Sequence, residues 1–300
     1  PRTSVMILSA SRRTDIPCYY SEWFMNRIRA GSVCTRNPMN HKQLSRIRLT
    51  PETVDCIVFW TKDAQNILNK LLELDRLGYK YYFQFTLTPY DRAIERGLRD
   101  KADIIKTFIQ LSSLIGKERV IWRYDPIILN EKMDISYHKE QFERFCCKLA
   151  GFTETVTISF VDMYPKLKTD LVRPITDEEI EEISAFFGTQ AKAHNLKITA
   201  CCEKTDLTRY GIVKASCIDK SLIERICGHP IIAERDKNQR EGCSCCKSID
   251  IGSYNSCLNG CVYCYATDSI SSAERRSNTH DPQSELLIGT VGEDERMIER

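Results

Sequence analysis

Ile249-Asp250-Ile251-Gly252-Ser253-Tyr254-Asn255-Ser256-Cys257-Leu258-Asn259-Gly260-Cys261-Val262-Tyr263-Cys264 runs from a short apolar segment straight into three cysteines spaced C-x3-C-x2-C. Residues 249–254 read as a short buried strand. Three thiolates on one tight loop supply three ligands to a [4Fe–4S] cube and leave the fourth iron without a protein ligand, open to a small molecule. Asn259-Gly260 permits positive backbone dihedrals, so the loop can close around the cube. A zinc site is the competing use. It normally closes with four ligands, often in paired C-x2-C spacing, and C-x3-C-x2-C supplies that poorly.

Working back toward the N-terminus, short runs rich in Val, Ile, Phe, Tyr and Thr alternate with amphipathic stretches. Strands are expected over 5–9, 55–60, 81–87, 119–124, 155–161, 197–201 and 249–254. Helices are expected over 21–30, 64–77, 101–115, 136–149, 177–194 and 221–226. Thr176 with Glu179 makes a capping box, and Gly78 and Gly116 mark C-terminal stops. Segments 33–36 and 44–49, around Asn37-Pro38, suit a hairpin. Repeated strand–helix alternation predicts an α/β fold with a parallel sheet, and seven strands predict a TIM-like or partial β/α barrel. A flat doubly wound sheet is the alternative. The expected organisation is barrel over 1–200, a cysteine-rich region over 201–248, the last strand and cluster loop over 249–267, and a polar tail over 268–300 that carries an ordered turn or short strand.

The bulk numbers narrow the class. The 300 residues are 42% hydrophobic and 28% charged, enough for a sizeable core, and 43 basic against 41 acidic residues call for neither a nucleic acid nor a membrane surface as partner. No run approaches the roughly 20 apolar residues of a spanning helix, and the N-terminus reads as a strand, not a signal peptide. Cysteine is the outlier: of 15, ten lie between Cys201 and Cys264. An odd count in a long periodic chain fits metal binding in a reducing cytoplasm better than a disulfide scaffold. Cys18, Cys34, Cys56, Cys146 and Cys147 stand apart and read as small buried hydrophobes.

Polar groups collect just after the expected strands: Ser9, Ser11, Arg12, Arg13 and Asp15; Lys62; Arg123 and Asp125; Lys166; Glu203 and Lys204. A β/α barrel places its chemistry at such strand ends. Gln84 and Thr86 share one face of their strand. Arg12 and Arg13 suit a carboxylate or phosphate, or pair with Asp15 or another carboxylate. Arg123 and Asp125 either bind a ligand or pair with each other. The basic excess at these ends suggests an anionic substrate. Trp60 and Trp122 read as core.

The C-x3-C-x2-C spacing, the aromatic Tyr263 before the third cysteine and the strand in front resemble the signature of radical S-adenosylmethionine (SAM) enzymes. There the motif comes early and follows the first barrel strand; here it comes after about 250 residues. Circular permutation accounts for this, with 249–254 as the family's first strand and 5–9 as its second, since neighbouring strands pair in space whatever their chain order. Ser9-Ala10-Ser11-Arg12-Arg13 then stands where the family has a Gly-Gly-Glu-like stretch, which it does not match. The runs 9–15, 58–62, 83–89, 122–126 and 250–255 resemble, over nearly the whole length, the prokaryotic family called domain of unknown function 1848. That family is noted for a C-terminal cysteine cluster like the radical SAM one. The resemblance implies a [4Fe–4S] cluster on Cys257, Cys261 and Cys264. It implies SAM contacts among Ser9, Ser11, Arg12, Gln84, Thr86, Arg123, Asp125 and Tyr263. It also implies catalytic roles among Arg12, Arg13, Asp15 and Glu203, and a low-potential donor such as flavodoxin or ferredoxin. An iron–sulfur electron carrier or sensor without SAM chemistry, and a zinc-binding interaction protein, are the rival readings.

Seven further cysteines lie in the same region. Cys201, Cys217, Cys243 and Cys245 are expected around a second [4Fe–4S] cluster, with zinc as the alternative, Cys202 and Cys246 as competitors within adjacent pairs, and Cys227 and His229 as spares.

Overall fold

A computed structural model describes residues 6–165, 167, 169–240 and 242–300. The expected mouth residue Lys166 and the first residue of the 5–9 strand lie outside them. The backbone of the fold is one eight-stranded, wholly parallel sheet. In chain order its strands are β1 (Ile7–Ala10), β4 (Cys56–Thr61), β5 (Tyr81–Thr86), β6 (Val120–Ile127), β7 (Thr155–Phe160), β8 (Lys197–Ala200), β9 (Val213–Lys214) and β10 (Ile249–Asp250). Their spatial order is β10-β1-β4-β5-β6-β7-β8-β9. The strand nearest the cysteine motif therefore lies beside the first strand of the chain, with Leu8 opposite Ile249 and Ser9 opposite Asp250. A large parallel sheet with helical crossovers is what the alternation predicts.

Besides short 3-10 turns, the described residues form eight α-helices: α1 (Ile16–Tyr19), α2 (Ser21–Ala30), α3 (Leu71–Arg76), α4 (Lys101–Ile115), α5 (Ile135–Leu149), α6 (Asp177–Ala193), α7 (Lys220–Cys227) and α8 (Ile270–Ser277). The capping box forms as the sequence indicates, with Thr176 and Glu179 bonding reciprocally at the start of α6. The predicted 64–77 helix divides into a 3-10 stretch over Gln65–Lys70 and α3. The predicted 249–254 strand shortens to two residues, because Asp250 turns its carboxylate back onto the backbone of Gly252 at 2.9 Å.

Side-chain alternation divides the strands between two cores. Leu8, Ile57, Phe59, Phe83, Phe85, Trp122, Tyr124, Val156 and Ile158 pack against the helices. Ile7, Cys56, Val58, Tyr82 and Ile121 face the other way and meet Ala215, Cys217, Ile218, Leu222, Ile223, Cys243, Cys245 and Cys246. The cysteine-rich region is thus folded onto the second face of the sheet. Sequence pattern gave no sign of this, since 201–248 has little regular structure of its own.

A smaller sheet joins β2 (Ser32–Asn37), β3 (Asn40–Arg48) and β11 (Arg296–Glu299). The first two form the expected hairpin. The third comes from the tail, which also forms α8 (Ile270–Ser277). Trp23, Asn26 and Arg27 of α2 donate to the carbonyls of Ser284, Pro282 and Gln283, so the tail is strapped down. No helix among the described residues is long and apolar enough to cross a membrane.

Candidate functional site

The motif loop lies against the C-terminal ends of β1, β4 and β5, held by its backbone first. Gly97 N–H donates to the Asn259 carbonyl at 2.9 Å and Val262 N–H to Ile94 at 3.0 Å, with Glu95 bridged to Cys261. A Cβ on Gly97 would stand 2.1 Å from the Leu258 carbonyl oxygen, so this approach requires glycine. Gly260 takes the left-handed conformation the sequence anticipates, with φ 62°.

Side chains then fix the loop. Asn259, 4% exposed, donates to Asp15 at 3.1 Å and accepts from the Tyr19 hydroxyl at 2.9 Å. Asp15 also accepts from Thr61, Lys62 N–H and Cys18 N–H. Four donors therefore saturate it, and it pairs with neither Arg12 nor Arg13. Its burial pushes the carboxyl up to about 6. Asp15 positions the loop by joining β1, β4 and the motif.

A second anchor lies beneath Tyr263. Its hydroxyl donates to Glu95, which is 1% exposed, and receives Lys62 at 2.7 Å. Glu95 also takes Lys62 at 2.7 Å, the Thr88 hydroxyl at 2.9 Å and Lys101. Burial alone would raise the Glu95 carboxyl; the two ammonium groups outweigh it and hold the carboxyl at about 2. Neither Glu95 nor Lys101 is among the residues the sequence singles out. A buried acid in the stretch after β5 gives no pattern to read.

The three motif thiols are half-buried. Burial pushes Cys257 well up and Cys261 to about 12, although the Lys62 charge pulls Cys261 down. Cys18 lies near enough to Cys257 to feel its charge.

At the end of β1 the expected SAM contacts have local partners. Asp250 accepts from Ser9 at 3.0 Å, from Ser11, and from Arg12 N–H at 2.8 Å, stitching β10 to β1. A Cβ on Gly252 would reach 2.0 Å from the Ser11 hydroxyl oxygen. The Trp60 indole donates to Ser9 at 3.2 Å, and the guanidinium carbons of Arg12 and Arg123 lie 4.8 and 5.6 Å from its ring centroid. Trp60 is thus a cation platform as well as a packing residue, whereas Trp122 is core, stacked on Phe142. Arg13 lies over Tyr254 at 4.8 Å. Neither Arg12 nor Arg13 makes an ion pair among the described residues.

Arg123, 6% exposed, pairs with Asp125 through two bonds of 2.6 and 3.1 Å and points Nη1 at Cys217 Sγ, 2.9 Å away. Ser159 donates to Asp125. Gln84 is used inside the fold: its amide donates to the Cys217 carbonyl at 2.8 Å and accepts from Arg123 at 3.3 Å. Thr86, half-buried, lies two residues on along the same strand face. Glu203 accepts from Phe160 N–H at 2.8 Å, and burial pushes its carboxyl up to about 7.

Around Cys217 the other thiols gather. Cys201 Sγ is 3.8 Å from Cys217 Sγ and 3.9 Å from Cys202 Sγ. Cys245 N–H approaches Cys243 Sγ at 3.5 Å. Cys227 turns away to the Asp55 carbonyl, and His229 is exposed. Among the described residues no three Cys, His, Asp or Glu side chains enclose one metal-sized point as placed. Of the isolated cysteines, Cys34, Cys56 and Cys146 are buried, as expected, while Cys147 is exposed. Two clefts, of about 490 and 430 Å³, flank the site. One is lined by Cys18, Tyr19, Asn66 and Lys70, the other by Tyr90, Glu95, Arg99 and Lys101.

Fold and site together define a parallel α/β protein with a cysteine loop clamped at its strand ends and a second thiol group against one sheet face. The chain belongs to the family described as a domain of unknown function, DUF1848, whose model matches residues 7–266. The match stops short of α8 and β11. No curated protein matches the chain.

Proposed function

We propose that this protein is a radical SAM enzyme built on a circularly permuted partial barrel, acting on an anionic substrate. One observation carries the reading. The three thiols of Cys257, Cys261 and Cys264 share a loop clamped at the strand ends, and the Tyr265 hydroxyl just after it donates at 3.0 Å to the carbonyl of Arg12, whose guanidinium makes no ion pair among the described residues. Three thiol donors fit a [4Fe–4S] cluster that leaves one iron open. When bound, such a cluster supplies the electron that splits SAM into methionine and a 5′-deoxyadenosyl radical, which takes hydrogen from substrate.

The chain's own residues do the positioning. Asp15 and Glu95 hold the loop at Asn259 and Tyr263, so the ligands are set before anything binds. Arg12, laid along Trp60 and in no ion pair among the described residues, suits a carboxylate, either that of SAM or that of the substrate. Ser9 and Ser11 act through Asp250 by fixing the backbone from which Arg12 projects. Arg123 and Asp125 neutralise one another and line the neighbouring strand ends. Burial pushes the Glu203 carboxyl up to about 7, which suits proton transfer. The β10–β1 adjacency supports the permutation. A flavodoxin- or ferredoxin-class donor would supply the electron.

The test is anaerobic reconstitution with iron and sulfide, then incubation with SAM and a strong reductant. Formation of 5′-deoxyadenosine, abolished by Cys261→Ala, is expected. A reconstituted iron–sulfur protein that leaves SAM intact would instead be a plain electron carrier.

A further inference from the structure

The thiols against the second face of the sheet form a group separate from the motif and drawn from distant parts of the chain. Cys201 and Cys202 follow β8, Cys217 follows β9, and Cys243 and Cys245 come just before β10. The fold brings them together because residues 215–246 pack onto the inner side chains of β1, β4, β5 and β6. That packing is locked at Cys217: its carbonyl accepts from Tyr82 at 2.7 Å and Gln84 at 2.8 Å, and its sulfur faces Arg123 at 2.9 Å.

Sulfur spacing distinguishes the metal centres such a group can hold. A single tetrahedral ion bonded to sulfur at about 2.3 Å sets its ligands about 3.8 Å apart along each edge. A four-iron cube takes each thiolate at a different corner, so its ligands stand wider. Cys201 Sγ stands 3.8 Å from Cys217 Sγ and 3.9 Å from Cys202 Sγ, both close to the tetrahedral edge, and Cys217 is the one the fold locks in place. Cys243 and Cys245 are buried in the same cluster as Cys217, with Cys201 and Cys202 packed against it. The Cys245 N–H directed at Cys243 Sγ is the kind of bond a C-x-C thiolate pair accepts.

Charge agrees with that spacing. Four thiolates on a divalent ion leave a net charge of about −2, which is costly to bury without cations. Positive side chains border the group: Arg123 points Nη1 at Cys217 while its other nitrogens pair with Asp125, and the Arg12 and Arg240 charges are felt there too, Arg240 being paired in turn with Asp162.

We propose that Cys201, Cys217, Cys243 and Cys245 hold one tetrahedral zinc ion that staples the cysteine-rich segment to the inner face of the sheet. Among the described residues of 201–248 the regular elements are a 3-10 turn at Thr208–Tyr210, the two-residue β9 and the eight-residue α7, so a metal crosslink takes the place of secondary structure. The ion draws the Cys243–Cys245 pair onto the Cys201–Cys217 edge by side-chain rotation. Its role is structural, and it stands whether or not the motif loop binds SAM.

The test is metal analysis of the full chain carrying Cys257→Ala, Cys261→Ala and Cys264→Ala, purified anaerobically. About one zinc per chain and no iron is expected. Several irons per chain, or a folded chain with no metal, overturns the proposal. Should that variant fail to fold, zinc content of the wild-type chain reads the same point, one zinc being expected beside any iron. Cobalt(II) exchanged into the wild-type protein should give the thiolate charge-transfer and tetrahedral ligand-field bands of a four-sulfur site. Cys217→Ser should lose them and Cys147→Ser should keep them. Bands unchanged in Cys217→Ser place the metal elsewhere and also overturn the assignment.

Discussion

Replacing Glu95 with glutamine tests how the motif loop is held. The side chain keeps its shape and its contacts with Tyr263 and Thr88, but two ammonium groups lose their carboxylate. Lys62 and Lys101 expose only 13% and 21% of their side chains, and Glu95 none, so solvent screens little of the loss. Two routes give its size. A carboxyl held at about 2, against an ordinary value of 4.5, contributes about 3 kcal/mol above the ordinary value. Removing one partner from a buried pair costs about 3–5 kcal/mol. At roughly 2–4 °C per kcal/mol, Glu95→Gln should melt some 5–15 °C lower at pH 7. The sign with pH follows from the lowered carboxyl. Its stabilisation is fully present above about 4.5 and fades as pH falls toward 2, so the gap between variant and wild type should narrow on acidification. Circular dichroism melts at pH 7, 5 and 3.5 measure both. The exposed Glu131→Gln serves as control and should melt with the wild type. A Glu95→Gln melt within 2 °C of wild type at pH 7 would refute the account of the anchor.

Gly97→Ala pushes a Cβ into the Leu258 carbonyl and should cost about 1–3 kcal/mol, read as a lower melt and less iron retained after reconstitution. Asp250→Ala leaves Ser9, Ser11 and two backbone N–H groups without their acceptor and should cost about 2–4 kcal/mol, measured by urea unfolding. His138 is buried between the Tyr124 hydroxyl and the Ile128 carbonyl, and burial lowers its proton affinity to about 4. The unfolded chain takes up that proton first, so between pH 6.5 and 4 stability should fall by about 3 kcal/mol from this group alone. His138→Gln should flatten that limb of the stability curve; an unchanged slope would show that the ring is not held neutral.

The strand and helix pattern determined much of this molecule by itself. Runs such as 55–60, 81–87 and 155–161 are apolar enough to be buried on both faces, and the stretches between them carry caps and a helical period. A parallel α/β sheet follows from that local chemistry. The motif cysteines, the turn at Gly260 and the capping box at Thr176 are equally local, because the residues involved are close in the chain. What acts between distant residues was decided only by tertiary structure. Asp250 spends its carboxylate on Ser9 and Ser11, 241 and 239 residues away, so the two serines also clasp β10 to β1. Glu95 matters because the fold buries it between Lys62, Lys101 and Tyr263. Gln84 shares a strand face with Thr86 by alternation, yet its amide bonds Cys217, which only the packing of the 215–246 segment onto the sheet could bring there. Local propensity settles which elements form, but the partner of a buried polar group depends on which surfaces meet when those elements pack.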